Sequence, residues 1–114
     1  MLTPEKLQGI IDKFESIEQQ LGDAGVLRDQ RRLQDLSREH RRLRDIVEVA
    51  REYQKVHADR AGANDLLRTS DDREMKELAR QEADTLAARE AQIEAQLEVM
   101  LLPPDPLAEK NTIV

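Results

Sequence analysis

The stretch LQDLSREHRRLRDIVEVA, residues 33–50, decides the fold. Its apolar positions and one histidine alternate at intervals of three and four residues: Leu33, Leu36, His40, Leu43, Val47 and Ala50. This is the heptad pattern of helices that pack along a shared seam. Ile46, Tyr53 and Val56 widen the stripe. The pattern predicts a long helix, capped by Asp29 and ending near Leu67, with a length of about 58 Å.

The region around Gly62 leaves an alternative open. Gly62, Asn64 and Asp65 are poor helix formers, so the long helix is predicted either to bend or to break there.

A shorter helix precedes this one. Thr3 is a predicted cap, and Pro4 suits the first helical position, where a missing N–H costs nothing. An apolar stripe follows at helical spacing: Leu7, Ile10, Ile11, Phe14, Ile17 and Leu21. Gly22 is predicted to end this helix, and Gly25 to keep the connection flexible.

A third helix begins after residues 69–72. Asp71 and Glu74 have the spacing of a capping box. Four apolar residues then stand seven apart, at Ala79, Leu86, Ile93 and Met100. The predicted stripe also contains Met75, Leu78, Ala83, Leu97 and Leu101. Pro103 and Pro104 are predicted to end the helix.

These elements predict an all-α fold, an antiparallel three-helix bundle or long coiled-coil hairpin with a short first helix. Residues 1–102 are the predicted helical domain, with Met1 as a native start. Residues 103–114 are predicted to be a linker and the start of a further domain, because the chain ends on the β-formers Thr112, Ile113 and Val114.

Composition excludes several classes of protein. The 114 residues include 37% charged residues, no cysteine and only two aromatics, and the net charge is −6. No apolar run approaches the roughly 20 residues of a membrane span, and charged residues interrupt positions 1–20, where a signal peptide would be apolar. We therefore expect a cytoplasmic protein without disulfides, and not a general nucleic-acid binder.

Catalytic and metal-binding residues are not predicted. His40 falls in the heptad seam and is expected to be packed and hydrogen-bonded, and His57 has no carboxylate at i+3 or i+4. The acids alternate with basic residues, as on solvated helix faces. Ser16, Ser37 and Ser70 lie in no nucleophile motif, and no glycine-rich phosphate loop is present. No cofactor is expected.

Arginines cluster in residues 28–44, which hold seven arginines against three acids. This local excess of +4 leaves −10 on the rest of the chain. Arginine binds phosphate in a bidentate manner, so the cluster predicts contact with RNA or an acidic partner through Arg31, Arg38, Arg41 and Arg42. Alternatively, these arginines pair with the acidic third helix of the same chain.

The most specific stretch lies near the end of the chain: Leu101-Leu102-Pro103, Asp105-Pro106 and Glu109-Lys110-Asn111. It resembles the end of the N-terminal domain of bacterial peptide chain release factor one. Two helical segments are also similar to that family: Asp71 and Glu74 with Ala79 and Glu82, and Asp29 with Glu39, Leu43 and Val47. The chain departs at Pro104, where the family usually has Lys, and at Ala108, where an acid is common.

The resemblance implies that the intact protein enters the ribosomal A site and directs termination at UAA and UAG. A Pro-x-Thr tripeptide would read the codon, and a Gly-Gly-Gln loop with a methylated glutamine would promote peptidyl-tRNA hydrolysis. Neither motif occurs in these 114 residues, so the chain itself is not predicted to be an enzyme. The implied partner is the stalk base of the large ribosomal subunit, through rRNA and protein, without membrane or small-molecule substrate.

A second interpretation needs no resemblance. The heptad seam is also typical of a free-standing coiled-coil adaptor that oligomerises through it.

Overall fold

The computed structural model describes residues 2–102, which fold into four α-helices and no strand. The helices are α1 (Pro4–Leu21), α2 (Ala24–Arg28), α3 (Gln30–Thr69) and α4 (Arg73–Met100). The predicted all-α bundle is therefore confirmed, with one short helix more than expected. The predicted linker 103–114 lies outside the described residues.

The ends of α1 follow from its sequence. The Thr3 hydroxyl accepts a hydrogen bond from the Lys6 amide at 3.2 Å, and Pro4 occupies the first turn. Gly22 caps the other end with right-handed φ and ψ. Both predicted boundaries are confirmed, and the helix buries four residues of its stripe: Leu7, Ile11, Phe14 and Ile17.

The connection after α1 is helical and not a flexible loop, so that prediction was wrong. The Asp23 carboxylate accepts a hydrogen bond from the Gly25 amide at 3.3 Å and starts α2, which buries Val26. Asp29 then ends α2 and caps α3, accepting from the Arg32 amide at 3.2 Å. Val26 is the buried side chain that packs this short helix against its neighbours. A five-residue helix with one buried residue has no apolar repeat, so the periodicity of the sequence could not reveal it.

The long helix α3 is continuous for 40 residues, so the predicted alternative of a break at Gly62 is wrong. A glycine in a helix interior costs about 1 kcal/mol relative to alanine. Packing of this part of α3 against α4, with Ala63 buried, offsets that cost.

The cap of α4 is one residue later than predicted. Asp72, and not Asp71, accepts a hydrogen bond from the Glu74 amide, at 3.0 Å. The predicted capping box is therefore wrong, although an aspartate does start the helix.

Both α1 and α4 run antiparallel to α3. At the start of α1, Gln54 donates a hydrogen bond to the Pro4 carbonyl at 3.1 Å, and near its end Arg32 donates to Gln20 at 3.3 Å. A three-residue turn returns the chain from α3 into α4. The hairpin of α3 and α4 is thus covered by α1 along one part of its length only.

One apolar core joins α1, α3 and α4. Its buried members are Leu7, Ile11, Phe14, Ile17, Leu43, Ile46, Val47, Ala50, Tyr53, Val56, Ile93 and Leu97. The predicted stripe of α4 is right for Ala79, Ala83, Ile93 and Leu97, which are buried. It is wrong for Met75 and Leu78, which are 44% and 62% exposed, and for Leu101 at 36%.

Candidate functional site

The four candidate arginines lie on the N-terminal half of α3 and are exposed. Residues three, four and seven apart share a helix face, which places Arg31, Arg38 and Arg41 together. That face lies about half a turn from Leu36, His40 and Leu43, the side of α3 that packs on α1. These three arginines therefore point away from the bundle.

Arg42 differs from the other three because it has a partner within the chain. Its Nη2 atom lies 2.7 Å from Oε1 of Glu39, and its Nε donates to Oε2 of the same carboxylate at 3.3 Å. Lys13 of α1 lies 3.4 Å from that carboxylate. Arg42 and Lys13 thus share Glu39, which links α1 to α3.

The pKa values reflect this ion pair. The hydrogen bond from Arg42 lowers the pKa of the Glu39 carboxyl below its ordinary value, despite partial desolvation, and Lys13 lowers it further. The same hydrogen bond raises the pKa of the Arg42 guanidinium. Glu39 is therefore ionised at neutral pH, and Arg42 is less available to an external anion than its neighbours.

Pairing of the cluster with the acidic last helix, the alternative raised from the sequence, is wrong for residues 2–102. The ion pairs between α3 and α4 are Arg60–Glu90, His57–Glu90 and Glu52–Arg89. All lie beyond the arginine cluster along α3. The end of α4 comes only as far as a shallow depression lined by Arg42, Asp45, Ile46 and Met100.

The surroundings of Arg38 and Arg41 are polar. These two arginines share a shallow depression of the surface with Leu33, Gln34 and Ser37 of the same helix. Arg38 and Arg41 have no ion pair in the described part of the chain, and neither does Arg31. The arrangement offers guanidinium, amide and hydroxyl donors on one open face and can bind an anionic group.

His40 occupies the seam as predicted. Its ring stacks on Phe14 with centroids 4.5 Å apart, and its Nε2 lies 3.3 Å from a carboxylate oxygen of Glu18. The histidine is half-buried and links α1 to α3. Its packing and hydrogen bond give it a structural role.

A polar cluster between α3 and α4 was missed by the sequence analysis. Glu90 of α4 is buried at 6% exposure. Its carboxylate lies 2.8 Å from Nδ1 of His57 and 2.7 Å from Nη1 of Arg60. Glu90 follows Ala83 and Leu86 at seam spacing, so a carboxylate inside an apolar stripe was the available signal.

Burial and pairing act in opposite directions on this cluster. Burial alone would raise the pKa of the Glu90 carboxyl, but the hydrogen bonds from Arg60 and His57 outweigh it and lower the pKa below its ordinary value. Burial, together with the nearby carboxylates of Glu90 and Glu94, raises the pKa of the Tyr53 phenol. Glu90 is therefore an ionised carboxylate satisfied by two donors.

Metal-ligand geometry and the serine hydroxyls were the remaining candidates for chemistry in the described part of the chain. Within residues 2–102, no group of three or more histidines, aspartates and glutamates is placed to hold a metal ion. The Ser16 and Ser70 hydroxyls accept local hydrogen bonds, from Gln20 at 3.3 Å and from the Asp72 amide at 3.2 Å.

Helix length and hydropathy decide whether a helix can span a membrane. None of the helices between residues 2 and 102 combines the length and the apolar character needed to cross a bilayer.

Comparison with known proteins identifies related sequences over almost the whole chain. The family model described as the PCRF domain matches residues 10–114. A protein of Deinococcus radiodurans named Peptide chain release factor 1 is 42% identical over 116 residues, covering 100% of this chain and 31% of the relative.

Two further relatives carry the same name. The Oleidesulfovibrio alaskensis protein is 40% identical over 109 residues, covering 96% of this chain and 30% of the relative. The Lacticaseibacillus casei protein is 34% identical over 110 residues, again covering 96% of this chain and 31% of the relative. The chain thus spans less than a third of the length of these relatives. No solved structure matches it.

Proposed function

The chain belongs to the PCRF domain family, and on that premise we propose that it is the N-terminal helical domain of a peptide chain release factor. In this proposal the longer protein directs translation termination at UAA and UAG stop codons in the cytoplasm. Residues 1–102 form the helical domain, and residues 103–114 lead into the next domain. This chain positions the factor on the ribosome, and the remainder of the protein promotes hydrolysis of peptidyl-tRNA.

The match of the family model to residues 10–114 carries this proposal. Identity of 34–42% to three proteins named Peptide chain release factor 1 supports it over nearly the full length of the chain. The helical hairpin is consistent with a docking role.

The ribosomal contact is proposed to lie at the stalk base of the large subunit, through rRNA and protein. Its candidate residues are Arg31, Arg38, Arg41 and Arg42. Exposure of all four on α3, without an ion pair to α4 within residues 2–102, supports this assignment. The acidic balance of the rest of the chain would disfavour non-specific binding to RNA elsewhere.

The alternative function, a coiled-coil adaptor that oligomerises through its seam, is not favoured. The seam residues Leu43, Val47, Ala50, Ile93 and Leu97 are buried within a single chain. Little of the seam is therefore left to bury against another copy.

A chimeric release factor tests the proposal. The matching N-terminal segment of the Deinococcus radiodurans relative is replaced by this chain, and peptide release is measured on ribosomes programmed with UAA, UAG or UGA. We expect release at UAA and UAG close to that of the parent factor, since the segment is proposed to dock in the same way.

A matched control replaces the same segment with an unrelated antiparallel helical hairpin of similar length. We expect this control to require a higher factor concentration for half-maximal release. Equal performance of the two chimeras, or a folded chimera with this chain that does not release peptide, would contradict the proposed function.

A further inference from the structure

We propose that the exposed face of α3 formed by Arg31, Gln34, Ser37, Arg38 and Arg41, here called the α3 basic face, binds the phosphodiester backbone of RNA. The inference deepens the proposed function and rests on it in assigning this RNA to the ribosome. It narrows the candidate contact by removing Arg42 and adding two polar residues.

The charge of this face is not neutralised by the protein. Arg31, Arg38 and Arg41 form no ion pair within residues 2–102. Other arginines of the cluster do have partners: Arg42 pairs with Glu39, Arg44 lies 3.6 Å from Asp45, and Arg32 donates to Gln20. Three of the four arginines of the cluster without a partner in the described part of the chain thus lie on one face of α3, and the fourth, Arg28, lies in α2.

Helix geometry explains why Arg31, Arg38 and Arg41 share one face of α3. Residues 31, 34, 38 and 41 follow one another at intervals of three and four, so they form a continuous row along α3. Asp35 lies four residues after Arg31 and three before Arg38, on the same side of the helix, but it forms no ion pair within residues 2–102. Glu39 lies on another side and is turned toward α1 and Lys13. The α3 basic face therefore carries three arginines against one neighbouring exposed carboxylate, that of Asp35, and keeps an excess of positive charge.

The chemistry of the face fits phosphate better than an acidic protein. Contacts to nucleic-acid phosphates come from arginine together with hydroxyl and amide side chains, which are the groups that Ser37 and Gln34 add. Protein interfaces instead need an apolar centre, often with an aromatic residue. Among residues 2–102, the depression at Arg38 and Arg41 contains one apolar side chain, the half-buried Leu33, and no aromatic.

Lack of an aromatic also limits the mode of binding. Recognition of unpaired bases relies on stacking against aromatic side chains, whereas helical RNA is contacted through its backbone and shape. A row of three arginines spans about 15 Å along α3, enough to follow successive phosphates of one strand. We therefore expect a preference for duplex RNA without sequence specificity.

Titration of a labelled RNA duplex with the 114-residue chain, followed by fluorescence anisotropy at several salt concentrations, tests the inference. For three phosphate contacts the slope of log K against log salt should be about −2.7. The triple variant Arg31→Gln/Arg38→Gln/Arg41→Gln should lose roughly tenfold or more in affinity, with a slope near zero. Helical circular dichroism should be unchanged, because all three positions are exposed.

Two matched controls separate the α3 basic face from net charge. Arg73→Gln/Lys76→Gln/Arg80→Gln removes three exposed cations without ion pairs from one face of α4, at the same change in charge. Arg42→Gln removes a neighbouring arginine that is paired with Glu39. Both variants should bind RNA with an affinity within about threefold of that of the unmodified chain, since neither removes a proposed phosphate contact.

Several outcomes would overturn the inference. Equal loss of RNA affinity in the two triple variants would make net charge the cause. An equal loss of RNA affinity in Arg42→Gln would refute the argument that pairing with Glu39 keeps Arg42 from binding RNA. Tighter binding to poly-glutamate than to the RNA duplex would assign the face to an acidic protein partner. Salt-independent or undetectable RNA binding by the unmodified chain would also refute it.

The chimera separates this inference from the proposed function. If the chimera releases peptide and the triple variant does not change the concentration needed, the inference fails while the proposed function stands. If the unmodified chimera is inactive but the chain still binds RNA through the α3 basic face, the proposed function fails alone.

Discussion

Two regions of the hairpin differ in what covers them. In the three-helix base, α1 packs on α3, and one core holds large buried side chains of α1, of residues 43–56 of α3 and of residues 93–97 of α4. The two-helix arm comprises residues 57–69 of α3 and residues 73–90 of α4, and none of the buried members of that core lies in it. The arm buries the alanines Ala63, Ala79 and Ala83 and leaves Leu78 62% exposed. The same helical periodicity therefore leads to different burial, because two helices alone cannot enclose a large side chain.

The boundary between the two regions is polar. Glu90 meets His57 and Arg60 where the large apolar side chains of the base give way to the alanines of the arm. The buried Glu90 carboxylate meets both His57 and Arg60 in the present alignment of α4 with α3. A shift of α4 along α3 would break these contacts and is therefore disfavoured. The arm should accordingly be the first part of the molecule to open locally.

The largest expected effect separates the base from the arm directly. Leu97→Ala removes a side chain that is 0% exposed and should lower the free energy of unfolding by about 2–5 kcal/mol. Leu78→Ala in the arm should change it by less than about 0.5 kcal/mol. Urea unfolding followed by circular dichroism measures both values.

A milder variant keeps this comparison measurable if Leu97→Ala does not fold. Ile93→Val, at another fully buried position, should cost about 0.5–1.5 kcal/mol. If Leu78→Ala lowered the free energy of unfolding as much as the variants in the base do, Leu78 would be buried in solution. That result would contradict the difference in burial between arm and base.

The boundary cluster provides the next largest effect. Glu90→Gln removes the charge that Arg60 and His57 share and should destabilise the protein by about 1–3 kcal/mol. Partial exposure of Arg60 and His57 limits the loss, because water can solvate them. The exposed Glu82→Gln serves as control and should be nearly neutral. Equal stability of the two variants would refute the role of Glu90 at the boundary.

Acid should weaken the same boundary. Because the pKa of the Glu90 carboxyl is lower in the folded state, its stabilising contribution is complete above the ordinary value of 4.5 and is lost as pH falls through the folded-state pKa. The unfolding free energy of the unmodified chain should therefore decrease below about pH 5, and that of Glu90→Gln should decrease less. Parallel curves for the two proteins would exclude Glu90 as a source of this dependence.

The smallest expected effect compares glycines in the two regions. Gly62 in the arm and Gly9 in the base are both helical, and an added Cβ meets no other atom within 4 Å at either position. Each change to alanine should stabilise its helix by about 0.5–1 kcal/mol. Hydrogen exchange should show slower opening of the arm for Gly62→Ala only. Identical exchange changes for Gly9→Ala would mean that base and arm open as one unit.

Prediction from sequence succeeded where the cause is local. Thr3, Pro4, Gly22 and Asp29 act at helix ends through bonds to residues a few positions away, so their roles are visible in the chain. Prediction failed for Asp71 and for α2, where neighbouring aspartates compete as caps and one buried valine holds a short helix.

The candidate site was only partly visible in the sequence. The arginine cluster is evident from composition, but whether each arginine is paired depends on which helix lies alongside it. Arg42 is paired and Arg38 is not, although their spacing places both on one side of α3. Glu90 and His57 are 33 residues apart, a distance over which no sequence pattern reports pairing.

The sequence by itself determined four things about this protein: the all-α class, the ends of its first helix, the start of its longest helix and the location of its excess positive charge. These depend on backbone capping, on periodicity and on composition, which act over a few residues. Only the tertiary structure decided that Leu97 is buried and Leu78 exposed, that Glu90 is shared by two donors, and that three arginines of α3 face outward unpaired. Whether each of these side chains is buried or paired depends on which helix lies beside it. The neighbouring helix is distant in sequence, so the local sequence does not determine the contact.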